Sequence, residues 1–68
     1  MERAPHEQRV IDEKIALDEK GQKLVTFLQS PAFGKLSNQE ALLLVRQKDI
    51  MVAYSDILAE RIALFPSS

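Results

Sequence analysis

The sequence predicts an all-α fold, an antiparallel two-helix hairpin that associates with further copies of itself into a helical bundle. Two long segments carry apolar residues at helical spacing, and a short segment containing Pro31 and Gly34 separates them. A connector this short makes the two helices antiparallel. The second segment is apolar over more of its circumference than one neighbouring helix covers, which predicts self-association. We expect residues 1–68 to form a single domain.

The size of the chain limits how it can be stabilised. At 68 residues a single core is marginal, and disulfides, metal ions or further subunits often supply the missing stability. With no Cys and one His, the composition favours association. Nine Lys and Arg against ten Asp and Glu give no excess positive charge for nucleic acid or an anionic membrane. No apolar run approaches the roughly 20 residues of a membrane span, so we expect a cytoplasmic protein.

The first helix is predicted to run from about residue 6 to residue 29, after a short lead-in in which Pro5 suits the first helical turn. Gly21 lies near the centre of its apolar face, which indicates close helix packing or a tolerated weak spot in the helix or, as the sharper alternative, a kink or a ligand surface. Lys14 also projects from this face. It is expected to lay its methylenes on the core, with an anion or partner contact as the alternative. The apolar face is formed by Val10, Ile11, Ile15, Leu17, Leu24, Val25 and Leu28.

The connector is predicted to span residues 30–37, with a short helical turn that folds Phe33 and Leu36 over the end of the hairpin. Ser37 then begins the second helix as its N-cap, and Glu40 completes a capping box by reaching back to the Ser37 N–H. No Gly or Pro interrupts the chain from there until Pro66, so the second helix is predicted over about 38–65 with a short tail after it.

Two apolar rows repeat every seven residues along this second helix, and we expect one of them to pack within the chain and the other against a partner. The first row is Leu43, Ile50, Ile57 and Leu64, and the second is Leu44, Met51, Leu58 and Phe65. Polar residues interrupt the apolar sector at Gln47 and Arg61, where they indicate register-setting interface contacts or, alternatively, ligand contacts. The predicted interface comprises Leu43, Gln47, Ile50, Met51, Tyr54, Ile57, Leu58, Arg61 and Leu64.

The sequence offers no recognisable catalytic or cofactor chemistry, so we expect a protein that is not an enzyme and needs no cofactor. His6 has no nucleophile or orienting partner nearby in the sequence. The acidic residues of the second helix are expected on its water-facing side, without the converging ligands that a metal site requires. Arg46 and Lys48 point in different directions on a helix, which disfavours a DNA recognition helix.

Particular residues along both helices resemble a pattern found in small proteins of tailed phages and prophages, including crAss-like phages. The resemblance covers about residues 9–65, and Gly21 departs from it where such proteins carry an apolar residue. In the first half it rests on Arg9-Val10-Ile11-Asp12-Glu13, Leu17, Glu19-Lys20, Lys23-Leu24, Phe27-Leu28 and Ser30-Pro31-Ala32-Phe33. In the second half it rests on Glu40, Leu43-Leu44, Gln47, Met51, Ala53-Tyr54, Ile57-Leu58 and Glu60-Arg61-Ile62.

This resemblance implies a phage-encoded helical hairpin that acts in the cytoplasm of a bacterial host. In layout the chain is also similar to phage sponge proteins that sequester the cyclic nucleotides of bacterial immune systems. A sponge of this kind would draw its phosphate and base contacts from Lys14, Arg46, Tyr54 and Arg61.

Three functional hypotheses follow from these observations. The first is a non-enzymatic, self-associating binding protein that antagonises a host system, such as a defence system, by sequestering a host protein or a signalling nucleotide. The second is a structural or assembly accessory of the phage. The third is a DNA-binding regulator, which the charge balance disfavours.

Overall fold

The protein is a hairpin of two long helices, seen in a computed structural model that describes residues 4–66. Helix α1 is Pro5–Leu28, a 3-10 turn follows at Phe33–Lys35, and helix α2 is Asn38–Ala63. Residues 4–66 contain no strand, which confirms the predicted all-α class. The lead-in at 1–3 and the tail at 67–68 lie outside the described residues.

Local capping fixes where α1 begins. Pro5 occupies its first turn, as predicted, and Ala4 is the N-cap residue. The backbone N–H of Ala4 donates to Oε1 of Glu7 at 3.2 Å, which satisfies one group at the helix start even though alanine has no capping oxygen. Glu7 is itself buried. The acidic side chain therefore also lies where the positive end of the helix dipole favours it.

Helix α2 begins at the predicted cap and ends slightly earlier than predicted. The N–H of Glu40 donates to Oγ of Ser37 at 3.2 Å, and the Ser37 hydroxyl donates in turn to Oε1 of Glu40 at 3.0 Å. The carboxylate thus binds the capping hydroxyl rather than the expected Ser37 N–H. At the other end α2 stops at Ala63, before the predicted end near residue 65. The cause is Pro66, because a proline disfavours helical geometry in the residue before it.

Contacts between the helices show that they run antiparallel. Ser55 of α2 reaches Asp18 of α1, and Met51 lies over Gly21. Residue numbers therefore increase along α2 in the direction in which they decrease along α1. The rings of His6 and Phe65 meet edge to face at the open end of the hairpin, with centroids 6.3 Å apart. The molecule measures 49 × 15 × 14 Å, as expected for one pair of helices lying side by side.

The connector closes the other end of the hairpin. The rings of Phe27 and Phe33 meet edge to face with centroids 6.3 Å apart, and both side chains are half-buried. The predicted helical turn is therefore confirmed, as is its packing over the hairpin end through Phe33. Gly34 has no positive φ, so the turn does not depend on the special freedom of glycine.

The core of the hairpin is narrow and centres on the second heptad row of α2. We call this row, Leu44, Met51, Leu58 and Phe65, the inner row, because its side chains are buried or half-buried while the other row is exposed. Leu58 has no exposed surface, and Val10 of α1 is also buried. Within residues 4–66 only Glu7 joins these two as a buried residue. Two helices alone therefore exclude water from very few side chains.

Gly21 lies in the middle of α1 without interrupting it. The helix is continuous from Pro5 to Leu28. A Cβ built at Gly21 would lie 4.0 Å from Cε of Met51, which is ordinary van der Waals contact. The close-packing interpretation of this glycine is therefore not required by the geometry, because a methyl group fits.

Replacing Leu58 with alanine is expected to lower the free energy of unfolding by about 2–5 kcal/mol, the range for truncating a fully buried leucine. The matched control is Leu42→Ala, because Leu42 is exposed on the same helix and should change stability little. Urea unfolding followed by far-UV circular dichroism measures both. Similar losses in the two variants would contradict the assigned core.

Gly21→Ala is expected to raise the free energy of unfolding by about 0.5–1 kcal/mol, because alanine restricts the unfolded chain and its methyl group meets no obstacle. The control is Gly34→Ala, because Gly34 lies outside both α-helices and a Cβ there meets no atom within 4 Å. The same urea titration compares the variants, and a destabilised Gly21→Ala protein would show that the helices need the glycine for close approach.

Candidate functional site

An exposed apolar surface on α2 is the most prominent feature of the molecule. Its four leading residues are exposed by 54% at Leu43, 69% at Ile50, 53% at Ile57 and 83% at Leu64. They alternate at helical spacing with three further exposed residues, so that all seven lie along one face. We call this face the outer seam, and it consists of Leu43, Gln47, Ile50, Tyr54, Ile57, Arg61 and Leu64.

Two members of the predicted interface belong to the hairpin core. Leu58 is fully buried against α1, and Met51 lies on the same inner row, over Gly21. Leu58 is therefore inaccessible to a partner in this conformation, and both residues belong to the core rather than to the candidate surface. The two heptad rows of α2 have similar composition, and only packing against α1 distinguishes them. The outer seam remains as the predicted contact surface.

The residues predicted as anion or nucleotide contacts do not converge within one chain. Arg46, Tyr54 and Arg61 are all exposed on α2. At a rise of about 1.5 Å per residue, Arg46 lies roughly 12 Å from Tyr54 and roughly 22 Å from Arg61 along the helix. Lys14 lies on α1, where its Nζ forms an ion pair with Oδ2 of Asp18 at 2.7 Å. One chain therefore offers separate cations rather than a cluster.

A polar link between the helices was not anticipated from the sequence. The hydroxyl of Ser55 donates to Oδ1 of Asp18 at 2.5 Å, while Oδ2 of the same carboxylate binds Lys14. The hydrogen bonds from Lys14 and Ser55 hold the pKa of Asp18 below its ordinary value of 3.8. The side chain of Lys14 is 28% exposed, in agreement with the prediction that its methylenes lie along the core.

A groove of about 310 Å³ runs between the helices beside this link, on the flank of α2 that carries Val52. Gly21 and Met51 contribute to it, and the missing side chain at Gly21 helps to open it. The charged groups along it are Asp18, Asp56 and Lys48, and Lys48 forms an ion pair with Asp49 at 2.7 Å. The groove thus has no excess positive charge. Its lining residues are Leu17, Asp18, Gly21, Gln22, Val25, Lys48, Met51, Val52, Ser55 and Asp56.

No group of three or more His, Cys, Asp or Glu side chains within residues 4–66 is placed to hold a metal ion. Neither described helix is long and apolar enough to cross a membrane. The acidic residues Asp49, Asp56 and Glu60 are exposed, which confirms that they mark the water-facing side of α2.

A protein-family model described as Sequestin matches residues 4–64, which include both helices, the connector and the whole outer seam. Comparison with curated proteins and with solved structures gives no match.

Asp18→Asn is expected to destabilise the hairpin in a pH-dependent way. Because the folded pKa of Asp18 is lowered, its carboxylate contributes stability above the ordinary value of 3.8, and this contribution is lost as the pH falls through the lowered pKa. Urea midpoints of the two proteins should therefore differ at about pH 7 and converge at about pH 2.

Asp12→Asn is the control for this comparison. Asp12 lies on the same helix and accepts a hydrogen bond from Gln8, which belongs to α1 as well. It therefore forms no link between the helices through this bond. If the urea midpoints of Asp18→Asn and the unmodified chain instead differ by the same amount at every pH, that result would contradict a role for the carboxylate charge.

Proposed function

The chain belongs to the Sequestin family, and we propose that it is a non-enzymatic binding protein that sequesters its target. By sequestering we mean that it holds the target and withholds it from its normal use, without converting it. We propose further that the protein is encoded by a tailed phage or prophage and acts in the cytoplasm of the bacterial host, as an antagonist of a host system such as defence. The family match supports the first statement, and the phage-like residue pattern supports the second.

The observation that carries the proposal is the outer seam. A soluble helix normally turns its apolar residues toward a core, yet four large aliphatic side chains of this seam are more than half exposed. Contiguous exposed apolar surface on a small protein marks a place of contact. The Sequestin model spans the seam, so the surface belongs to the part of the chain that defines the family. The seam is thus a contact surface, for the target itself or for a second copy of the chain that takes part in holding it.

Two classes of target are compatible with this surface. A host protein would meet the seam with an apolar helix, and heptad spacing fits that mode of recognition. A signalling nucleotide would need cations and an aromatic ring together, but Arg46, Tyr54 and Arg61 are spread along α2. A nucleotide site would therefore need side chains from more than one copy of the chain. Self-association is part of the proposal for this reason and because so little of the single hairpin is buried.

The test is capture of the target by the whole chain. The protein is immobilised, incubated with lysate from infected and uninfected host cells, washed and then heat-denatured. Bound proteins are identified by mass spectrometry, and released small molecules are identified by liquid chromatography with mass spectrometry. We expect a host protein or nucleotide to be released unchanged, in an amount stoichiometric with the chain. Ile57→Glu should reduce this capture by about tenfold or more, because it places a charge in the apolar seam.

The control for this experiment is a charge of the same kind placed off the seam, at Leu42→Glu, which should capture as well as the unmodified chain. Recovery of a chemically altered small molecule would contradict sequestration and indicate an enzyme. Recovery of phage proteins alone would replace antagonism of the host with the assembly role.

A further inference from the structure

The outer seam has a symmetry that identifies its occupant. We propose that two copies of the chain pair through their outer seams in antiparallel orientation, with the two-fold axis close to Ala53 and Tyr54. This inference rests on the self-association within the proposed function. It gives the outer seam to the second copy, so that the target is held on a surface that the pair leaves exposed. The product is a four-helix bundle in which α2 and its symmetry mate are adjacent and one α1 packs beside each.

The angle between the two faces of α2 fits such a bundle. At about 100° per residue, the outer seam lies roughly a quarter turn from the inner row. A helix in a four-helix bundle contacts its two adjacent neighbours through faces separated by about this angle. The inner row already packs on α1, with Leu58 fully buried. A second copy placed on the outer seam would complete the bundle and cover Ile50 and Ile57, which are more than half exposed in one chain.

The order of residue types along the seam is the same from either end. Starting at Tyr54, the next seam residue is isoleucine in both directions, at Ile50 and Ile57. Continuing outward, a long polar residue follows on each side, Gln47 and Arg61, and then a leucine ends the seam on each side. A two-fold axis near Tyr54 therefore brings apolar layers onto apolar layers. It also places Arg61 beside Gln47 of the second copy, whose carbonyl oxygen can accept from the guanidinium.

The charges beside the seam also favour the antiparallel pair with its axis near Ala53. Arg46 and Glu60 flank the seam on one side, each seven residues from Ala53, and both are exposed. In an antiparallel helix pair, residues on one flank face residues on the same flank of the partner helix. Arg46 of each copy therefore meets Glu60 of the other, which forms two attractive pairs. Ala53, the small residue between them, lies against its own counterpart where the helices cross the axis.

The parallel alignment lacks these advantages. A parallel two-fold pair places each seam residue at the level of its own copy, so Arg61 would meet Arg61 in the apolar centre. Two guanidinium groups brought together with water excluded repel each other, and each would lose hydration. In the parallel pair the flank that carries Arg46 and Glu60 faces the other flank of the partner, so the two Arg46–Glu60 pairs are not formed. The charge pattern therefore selects the antiparallel pair and disfavours the parallel one.

The opposite flank of α2 provides an internal control. Val52 is exposed there by 53% and lines the groove, so it is apolar and accessible like Ile50 but lies off the outer seam. The proposed pairing leaves Val52 uncovered. Ile50→Glu and Val52→Glu thus make the same change on two faces of one helix.

The test is sedimentation equilibrium of the full chain and four variants over micromolar to millimolar concentration, with helical content checked by circular dichroism. We expect a dimer for the unmodified chain, a monomer for Ile50→Glu and an unchanged dimer for Val52→Glu. Arg46→Glu should weaken the dimer by roughly tenfold, since it turns two attractions into two repulsions. The double variant Arg46→Glu with Glu60→Arg should recover most of that loss, because both pairs become attractive again.

Orientation is tested with Arg46→Cys and Glu60→Cys, which add single thiols to a chain without cysteine. The two variants are mixed and treated with a short bis-maleimide linker. Links between position 46 and position 60 support the antiparallel pair, whereas a mixture that sediments as a dimer and gives no such link overturns it. A monomer at millimolar concentration, or an equal loss in Ile50→Glu and Val52→Glu, would also overturn it. Target capture is measured separately, so a monomer that still sequesters its target refutes the pairing without refuting the function.

Discussion

Packing of the inner row of α2 against α1 is the contact on which the hairpin depends. It encloses Leu58 completely and Val10 nearly so, and it sets the antiparallel register in which Ser55 reaches Asp18. The aromatic contact of His6 with Phe65 at the open end relies on that register. Because two helices have only one mutual face, the same packing decides which apolar residues of α2 are left in contact with water. The fold and its exposed apolar surface therefore have a common origin.

A single hairpin of this length leaves little margin in stability. Its cross-section of 15 × 14 Å means that most side chains reach solvent, and the transfer of apolar area from water is the main source of folding free energy. Covering the outer seam with another helix would therefore serve stability and recognition together. The copy that covers one seam gains the same cover for its own, which is why a self-complementary surface is economical for a short chain.

Local signals in the sequence predicted most of the fold. Ser37 with Glu40 marked the start of α2, Pro5 marked the start of α1, and the turn at Phe33 followed from the break in periodicity. The sequence did not show which of the two heptad rows packs on α1 and which stays exposed. Both are rich in leucine and isoleucine, so Leu58 and Ile57 look equivalent until α1 is in place.

Contacts between residues distant in sequence could not be predicted either. The hydrogen bond from Ser55 to Asp18 depends on the register of two helices, and neither residue carries a local signature that predicts a partner on the other helix. Long polar side chains such as Gln47 and Arg61 could be recognised as interruptions of an apolar face, but whether they were buried depended on which row faced inward. The sequence therefore predicted that the site is a face of α2. Which residues of α2 belong to that face could be decided only from the structure.

The inner row and the outer seam share a helix but have no residue in common. A substitution at Ile50 or Ile57 leaves the side chains that enclose Leu58 in place, so the surface can vary among lineages while the hairpin persists. A few point mutations on the seam can therefore change what it contacts without unfolding the hairpin. Separation of the two faces thus confers evolvability on a chain of only 68 residues.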